Sequence, residues 1–256
     1  MSPTAKPALL ALLSLGTTLS FVATVPVSAQ KSGEVKLTVS EGVRKAQADA
    51  QKAFDKVDKL VKPTNGSVTA ANSAQVVAAL AEADGPIAAA EAAARTNDEL
   101  YVAQELRYRK ESMSNAARYY NNGQAANQES VRFAPYLDKL LANPSTPASS
   151  IADYAYERGH IAYIAQRYQD AIPLFQRAKA AGSTKPLLDA FLVDSKIKLK
   201  DYAGAAVDIE PVIAKMKASG QTVPESFYAV ALEQAYRSKS PLTIAYELRW
   251  YADYPS

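Results

Sequence analysis

The 256-residue sequence contains no cysteine, a single histidine (His160) and only ten glycines. The missing cysteine removes disulfides, thiolate nucleophiles and Cys-ligated zinc together. One histidine excludes a His-rich metal site and the HExxH zinc-protease arrangement, which sets two imidazoles on one helix face. Scarce glycine argues against a β-rich chain of tight turns. No GxSxG elbow, GxxxxGK[ST] phosphate loop, GxGxxG turn or EF-hand loop occurs. Carboxylates are plentiful, but pairs such as Asp55 and Asp58 read as solvated helix faces. The chemistry-bearing parts of an enzyme, a metal site or a cofactor site are therefore not visible.

What is present is helix-forming material. Hydrophobic residues make up 48% of the chain, and alanine clusters in runs such as PIAAAEAAAR. Alanine loses no side-chain entropy on entering a helix. An all-α fold is expected.

Residues 1–29 read as a secretory signal peptide. Lys6 precedes an apolar stretch from Ala8 to about Val25, and Val27-Ser28-Ala29 supplies small residues for cleavage after Ala29. Ser14, Gly16, Thr17, Thr18 and Ser20 interrupt the run, which makes it a poor transmembrane span. The implied location is periplasmic or secreted, with no membrane span after cleavage. Without that segment the formal charge is 28 − 26 = +2, too small for a nucleic-acid footprint.

Residues 30–39 read as a disordered lead-in, 40–145 as a helical region with degenerate repeats, and 146–256 as a more regular array. Ser40 is placed to cap a helix to about Val61 whose face is Val43, Ala46, Ala50, Phe54, Val57 and Val61. A break spans 62–74, and Gly85-Pro86 interrupts the next helices. Thr96 and Glu99 form a capping box, and Asn121-Asn122-Gly123 ends the long helix behind it. Another helix is expected over 127–142. Six more are expected near 148–165, 168–181, 186–199, 201–218, 223–238 and 241–252. Their short connections make antiparallel hairpins. Asp170 is a candidate late cap ahead of Pro173, and Thr222 a candidate cap ahead of Pro224.

One skeleton is written twice. RYQDAIPLFQRAKAAG and KDYAGAAVDIEPVIAKM align on Tyr168 and Tyr202, and 202 − 168 = 34. A two-helix unit of that length cannot bury both faces alone and is completed by the next unit. The first copy carries Gly159, Tyr168, Ala171, Phe175 and Ala178; the second carries Val193, Tyr202, Ala205, Ile209 and Val212. With small residues at close crossings and large ones where helices diverge, residues 150–218 resemble the tetratricopeptide-repeat family. The chain as a whole resembles exported repeat proteins of Gram-negative bacteria. The resemblance implies antiparallel hairpins stacked as an α-solenoid, a right-handed superhelix. It also implies a concave groove lined by the first helix of each unit. That groove would hold Tyr156, His160, Tyr163 and Ile164, then Leu187, Asp194, Ile197 and Lys198, then Tyr228 and Leu232. The function expected is a non-enzymatic scaffold that binds a protein or peptide in the cell envelope. A small-ligand-binding helical protein and an envelope enzyme or accessory subunit are the alternatives. Leu242, Ile244, Ala245, Leu248 and Tyr251 form an apolar series with no polar cap behind it, so docking of this last helix onto a second copy or onto the N-terminal segment is a further expectation.

Overall fold

The computed structural model describes residues 37–255. The signal-peptide reading of residues 1–29 and most of the lead-in lie outside the described residues. Among the described residues the structure is helical without strands, and no helix is long and apolar enough to cross a membrane.

Helix α1 (Glu41–Val61) buries Val43, Ala46, Ala50, Ala53, Phe54 and Val57. Its lysines face solvent: Lys52 pairs with Asp49 at 2.7 Å, and Lys56 pairs with Glu82. Ser40 stands at the cap position without a side-chain cap bond. The end of the lead-in is tied down instead. The Thr38 amide donates to Asp98 Oδ2 at 2.7 Å and the Ser40 amide to Glu99 Oε1 at 2.9 Å.

After a turn through Asn65 and Gly66, held by buried Asn72, come α2 (Ser73–Ala81), α3 (Asp84–Ala93) and α4 (Asn97–Arg118). The capping box at α4 is formed. Glu99 also accepts from the Arg95 amide. Hydrogen bonds from Ser40, Arg95 and Thr96 hold its carboxyl down to about 2. Helix α1 packs on α2, α3 and α4, and α2 and α3 both pack on α4. These four helices form a closed cluster.

Two boundaries differ from the sequence reading. Helix α4 stops at Arg118, and Asn122 starts a helix rather than ending one: its side chain accepts from the Ala125 amide and opens α5 (Gly123–Ser130). Asn serves either role, and here the capping bond decides. The single helix expected over 127–142 is divided. A 3-10 turn at Val131–Phe133 separates α5 from α6 (Ala134–Ala142), because Pro135 has no N–H to continue the ladder.

The remaining helices lie where the periodicity predicts: α7 (Ala148–Ile164), α8 (Tyr168–Ala180), α9 (Leu188–Lys198), α10 (Tyr202–Ala218), α11 (Glu225–Arg237) and α12 (Thr243–Asp253). Each packs on the next along the chain. Helix α8 begins at Tyr168 and keeps Pro173 inside it, so Asp170 is not a late cap. Pro224, not Thr222, occupies the cap position of α11, without a side-chain cap bond.

The turns repeat as the helices do. Gln166, Lys200 and Lys239 adopt φ of 57°, 62° and 52° at the α7–α8, α9–α10 and α11–α12 connections. In each case the following amide reaches back to a carbonyl five residues earlier: Arg167 to Ala162, Asp201 to Lys196, Ser240 to Ala235. This is a left-handed helix stop built without glycine. The α8–α9 and α10–α11 connections make the same stop with Gly182 and Gly220.

The α7–α8 crossing explains one residue choice in full. A Cβ on Gly159 would meet Phe175 Cδ1 at 2.8 Å. Only glycine lets the fully buried Phe175 ring lie on the α7 backbone. At the equivalent crossing Val193 meets the smaller Ile209, and both are buried.

Candidate functional site

The sequence-predicted groove residues separate into three groups. Tyr156, His160 and Tyr163 come together on one side of α7. The residue that joins them is Phe191 of α9, whose ring centroid lies 6.4, 5.1 and 4.8 Å from theirs. Phe175 lies 5.8 Å from it on the α8 side. The sequence pattern does not single out Phe191, although it stands 191 − 157 = 34 residues after Glu157. These rings fill the space between α7 and α9.

Asp194 belongs to the same interface. It is buried, and it accepts a hydrogen bond from Tyr163 Oη at 2.6 Å. Burial, and then the neighbouring Asp194 charge, raise the Tyr163 phenol above its ordinary value and keep it the donor. Ile164 and Ile197 are half-buried, and Ile197 packs against the C-terminal core. Leu187 and Leu232 are also half-buried. Lys198 is exposed.

Tyr228 requires correction. It is fully buried, packed in the core between α9, α10, α11 and α12. Its hydroxyl donates to Asp253 and its ring meets Tyr254 edge-on at 6.5 Å. It closes the C-terminal end and presents no groove surface.

His160 is corrected in part. It is only 7% exposed, stacked parallel to Tyr156, and the outer face of α7 around it is covered. Helix α5 and the turn after it lie over this face. Between them and α4 remains a cavity of about 50 Å³, walled by Tyr108, Ser112, Phe133, Glu157 and His160, with Asn127 on the α5 side. A cavity of that size holds an ion and a few waters, far below the roughly 300–1,000 Å³ of sites for drug-sized ligands.

Two titratable groups share this wall one helical turn apart. Burial pushes the Glu157 carboxyl from 4.5 up to about 7, with Lys185 lowering it and Asp153 raising it to smaller extents. Burial pulls His160 from 6.5 down to about 4. Between those values both groups are uncharged. Tyr108, also raised by burial, remains a phenol. Strongly displaced values in a cleft are a signature of functional positions. The sequence holds no local sign of this site, because Tyr108 and Ser112 come from α4 and Asn127 from α5. Only the i, i+3 spacing of Glu157 and His160 on α7 is visible there. No cluster of three or more metal-ligating side chains exists among the described residues.

No protein-family model, curated protein or solved structure matches the chain.

Proposed function

We propose that this chain is an exported, non-enzymatic, tetratricopeptide-like helical stack that binds a protein or peptide partner in the cell envelope. The observation that carries the reading is the repetition of one turn at the α7–α8, α9–α10 and α11–α12 connections, together with helix-on-next-helix packing through the C-terminal half. Units built this way present surface along their length. The Gly159–Phe175 crossing supports the same reading, since that position takes a small residue in the family the sequence resembles.

The partner surface favoured is the outer face of α12. Ile244, Leu248 and Tyr251, spaced for one helix face, are 68%, 64% and 59% exposed. An apolar row of this kind marks an interaction surface more than a solvated one. Trp250 is half-buried, with its indole N–H on Glu225, so it belongs to the inner side.

Cross-linking of the full chain in an envelope extract tests the reading, with the double variant Ile244→Ser, Leu248→Ser as comparison. A discrete cross-linked partner that the double variant loses, at unchanged melting temperature, supports it. No partner, or one retained by the double variant, refutes it. Sedimentation of the pure chain distinguishes a second copy from a different protein.

A further inference from the structure

Ion pairs fix how the C-terminal helices stand. Asp189 pairs with both Lys179 and Lys215, so the last turns of α8 and α10 lie together. Lys217 pairs with Asp253, and Arg249 with Glu210, which sets α12 in the same direction as α10. The α7–α8, α9–α10 and α11–α12 turns, which precede these three helices, therefore share one edge of the stack. The α8–α9 and α10–α11 turns share the opposite edge.

The two edges differ in kind. Where α8 and α10 end, Lys179, Lys185, Lys215 and Lys217 each pair with an aspartate. The stops there are Gly182 and Gly220, and neither turn exposes a large apolar side chain. At the other edge Lys198, Lys200 and Lys239 are exposed and make no ion pair among the described residues. The carboxylates near them are committed elsewhere. Asp170 pairs with Arg167, Glu233 with Arg237 and Asp208 with Lys196, while Asp201 accepts from the Gly204 amide. Among the unpaired lysines stand Leu199, Tyr202, Tyr236 and Leu242, all exposed. Lys200 and Lys239 also hold left-handed backbone, at φ 62° and 52°. Glycine takes that conformation without steric cost and fills it at the opposite edge. A side chain kept there against strain points to a use for it.

This combination suits a negatively charged lipid surface. Leucine enters the boundary of the hydrocarbon, and tyrosine sits there with its hydroxyl in the wet layer. Lysine lays its stem along apolar surface and holds its ammonium among the headgroups. The unpaired cations are all lysines, point charges on flexible stems. A fixed carboxylate on a peptide is matched better by the planar fork of arginine, and both arginines of this edge, Arg167 and Arg237, are already paired.

We propose that this edge is a peripheral contact with anionic lipid, in which Lys198, Lys200 and Lys239 meet the headgroups and the apolar side chains among them enter the interfacial layer. The chain lies on the bilayer by this edge and does not cross it. The contact is separate from the Ile244–Leu248–Tyr251 row and does not depend on a protein partner there.

The chain has no cysteine, so one introduced cysteine carries an environment-sensitive dye to one place. Ser238→Cys labels the proposed edge and Thr184→Cys the opposite one; both positions are exposed. The labelled full chain is mixed with vesicles of phosphatidylcholine alone, or of two parts phosphatidylcholine to one part phosphatidylglycerol. Blue-shifted, brighter emission is expected from position 238 with the anionic vesicles only, reversed by high salt, and none from position 184. Placement is what the dye reads, so attachment through another segment does not count as support. Lys198→Gln, Lys200→Gln and Lys239→Gln together raise the lipid concentration needed on the order of 100-fold. Glutamine fits these turns, since Gln166 holds the same left-handed position before α8. The control Lys179→Gln, Lys185→Gln and Lys217→Gln removes the same charge and leaves the response nearly unchanged, because the length of α10 exceeds the screening length at physiological salt. The proposal is overturned by an equal response from positions 184 and 238, by an equal response to neutral vesicles, by equal loss in the two triple variants, or by no response to anionic vesicles. A response at position 238 to a polyglutamate peptide in place of anionic vesicles also overturns it and assigns the edge to an acidic protein.

Discussion

Glu157 and His160 stand one turn apart on α7, against one cavity, and burial has reversed their order of titration. The acid ionises near pH 7 and the base protonates near pH 4. The two displacements have opposite consequences for stability, which gives the first prediction.

Glu157 has a folded value above its ordinary 4.5, so its contribution is full below pH 4.5 and is lost as pH rises toward about 7. His160 has a folded value below its ordinary 6.5, so its contribution is full above pH 6.5 and is lost as pH falls toward about 4. Between about pH 4.5 and 6.5 the slopes of these two groups oppose each other. Glu157→Gln removes one slope. Its stability rises from pH 4 to 6.5, then holds, and above pH 7 it exceeds wild type by up to about 3 kcal/mol. Urea unfolding across this range measures both curves. Parallel curves for the two proteins would contradict the assignment.

The α7–α8 crossing leaves no space for a methyl group at Gly159, where a Cβ would sit 2.8 Å from the Phe175 ring. Gly159→Ala destabilises by about 1–3 kcal/mol through overpacking, despite alanine's better helix propensity. Phe175→Leu lowers that cost, so the pair shows clear coupling in a double-mutant cycle. Independent additive effects would show that the two residues do not oppose each other.

Tyr163 joins α7 to α9 through its 2.6 Å hydrogen bond to buried Asp194. Tyr163→Phe leaves that carboxylate without its donor and costs about 1–3 kcal/mol. Adding Asp194→Leu recovers part of the loss, because no buried polar group then stays unpaired. If Tyr163→Phe proves neutral in thermal unfolding, this bond does not hold α7 to α9.

Lys200 occupies a left-handed conformation at φ 62° without the freedom of glycine. Lys200→Gly is expected to stabilise by about 0.5–1 kcal/mol, opposite to the usual effect of glycine in a helix. The side chain is exposed, so little contact is lost. Calorimetric melting checks the sign, and a lowered midpoint would refute it.

The sequence by itself determined most of the helices and their order, though not the division of 127–142 between α5 and α6. The spacing of Val43, Ala46, Ala50, Phe54 and Val57 placed the buried face of α1, and the 34-residue offset between Tyr168 and Tyr202 located two hairpins. These are local quantities, set by periodicity, capping and left-handed stops, and each is written within a few residues. Tertiary structure decided what each face meets. It put Phe191 at the centre of the tyrosines, buried Tyr228 against Asp253, and laid α5 over the α7 face that the repeat pattern would leave open. It also made Glu157 and His160 a pair by bringing Tyr108 and Asn127 to the same wall. Burial depends on which distant segment covers a side chain, and a one-dimensional period carries no information about that partner.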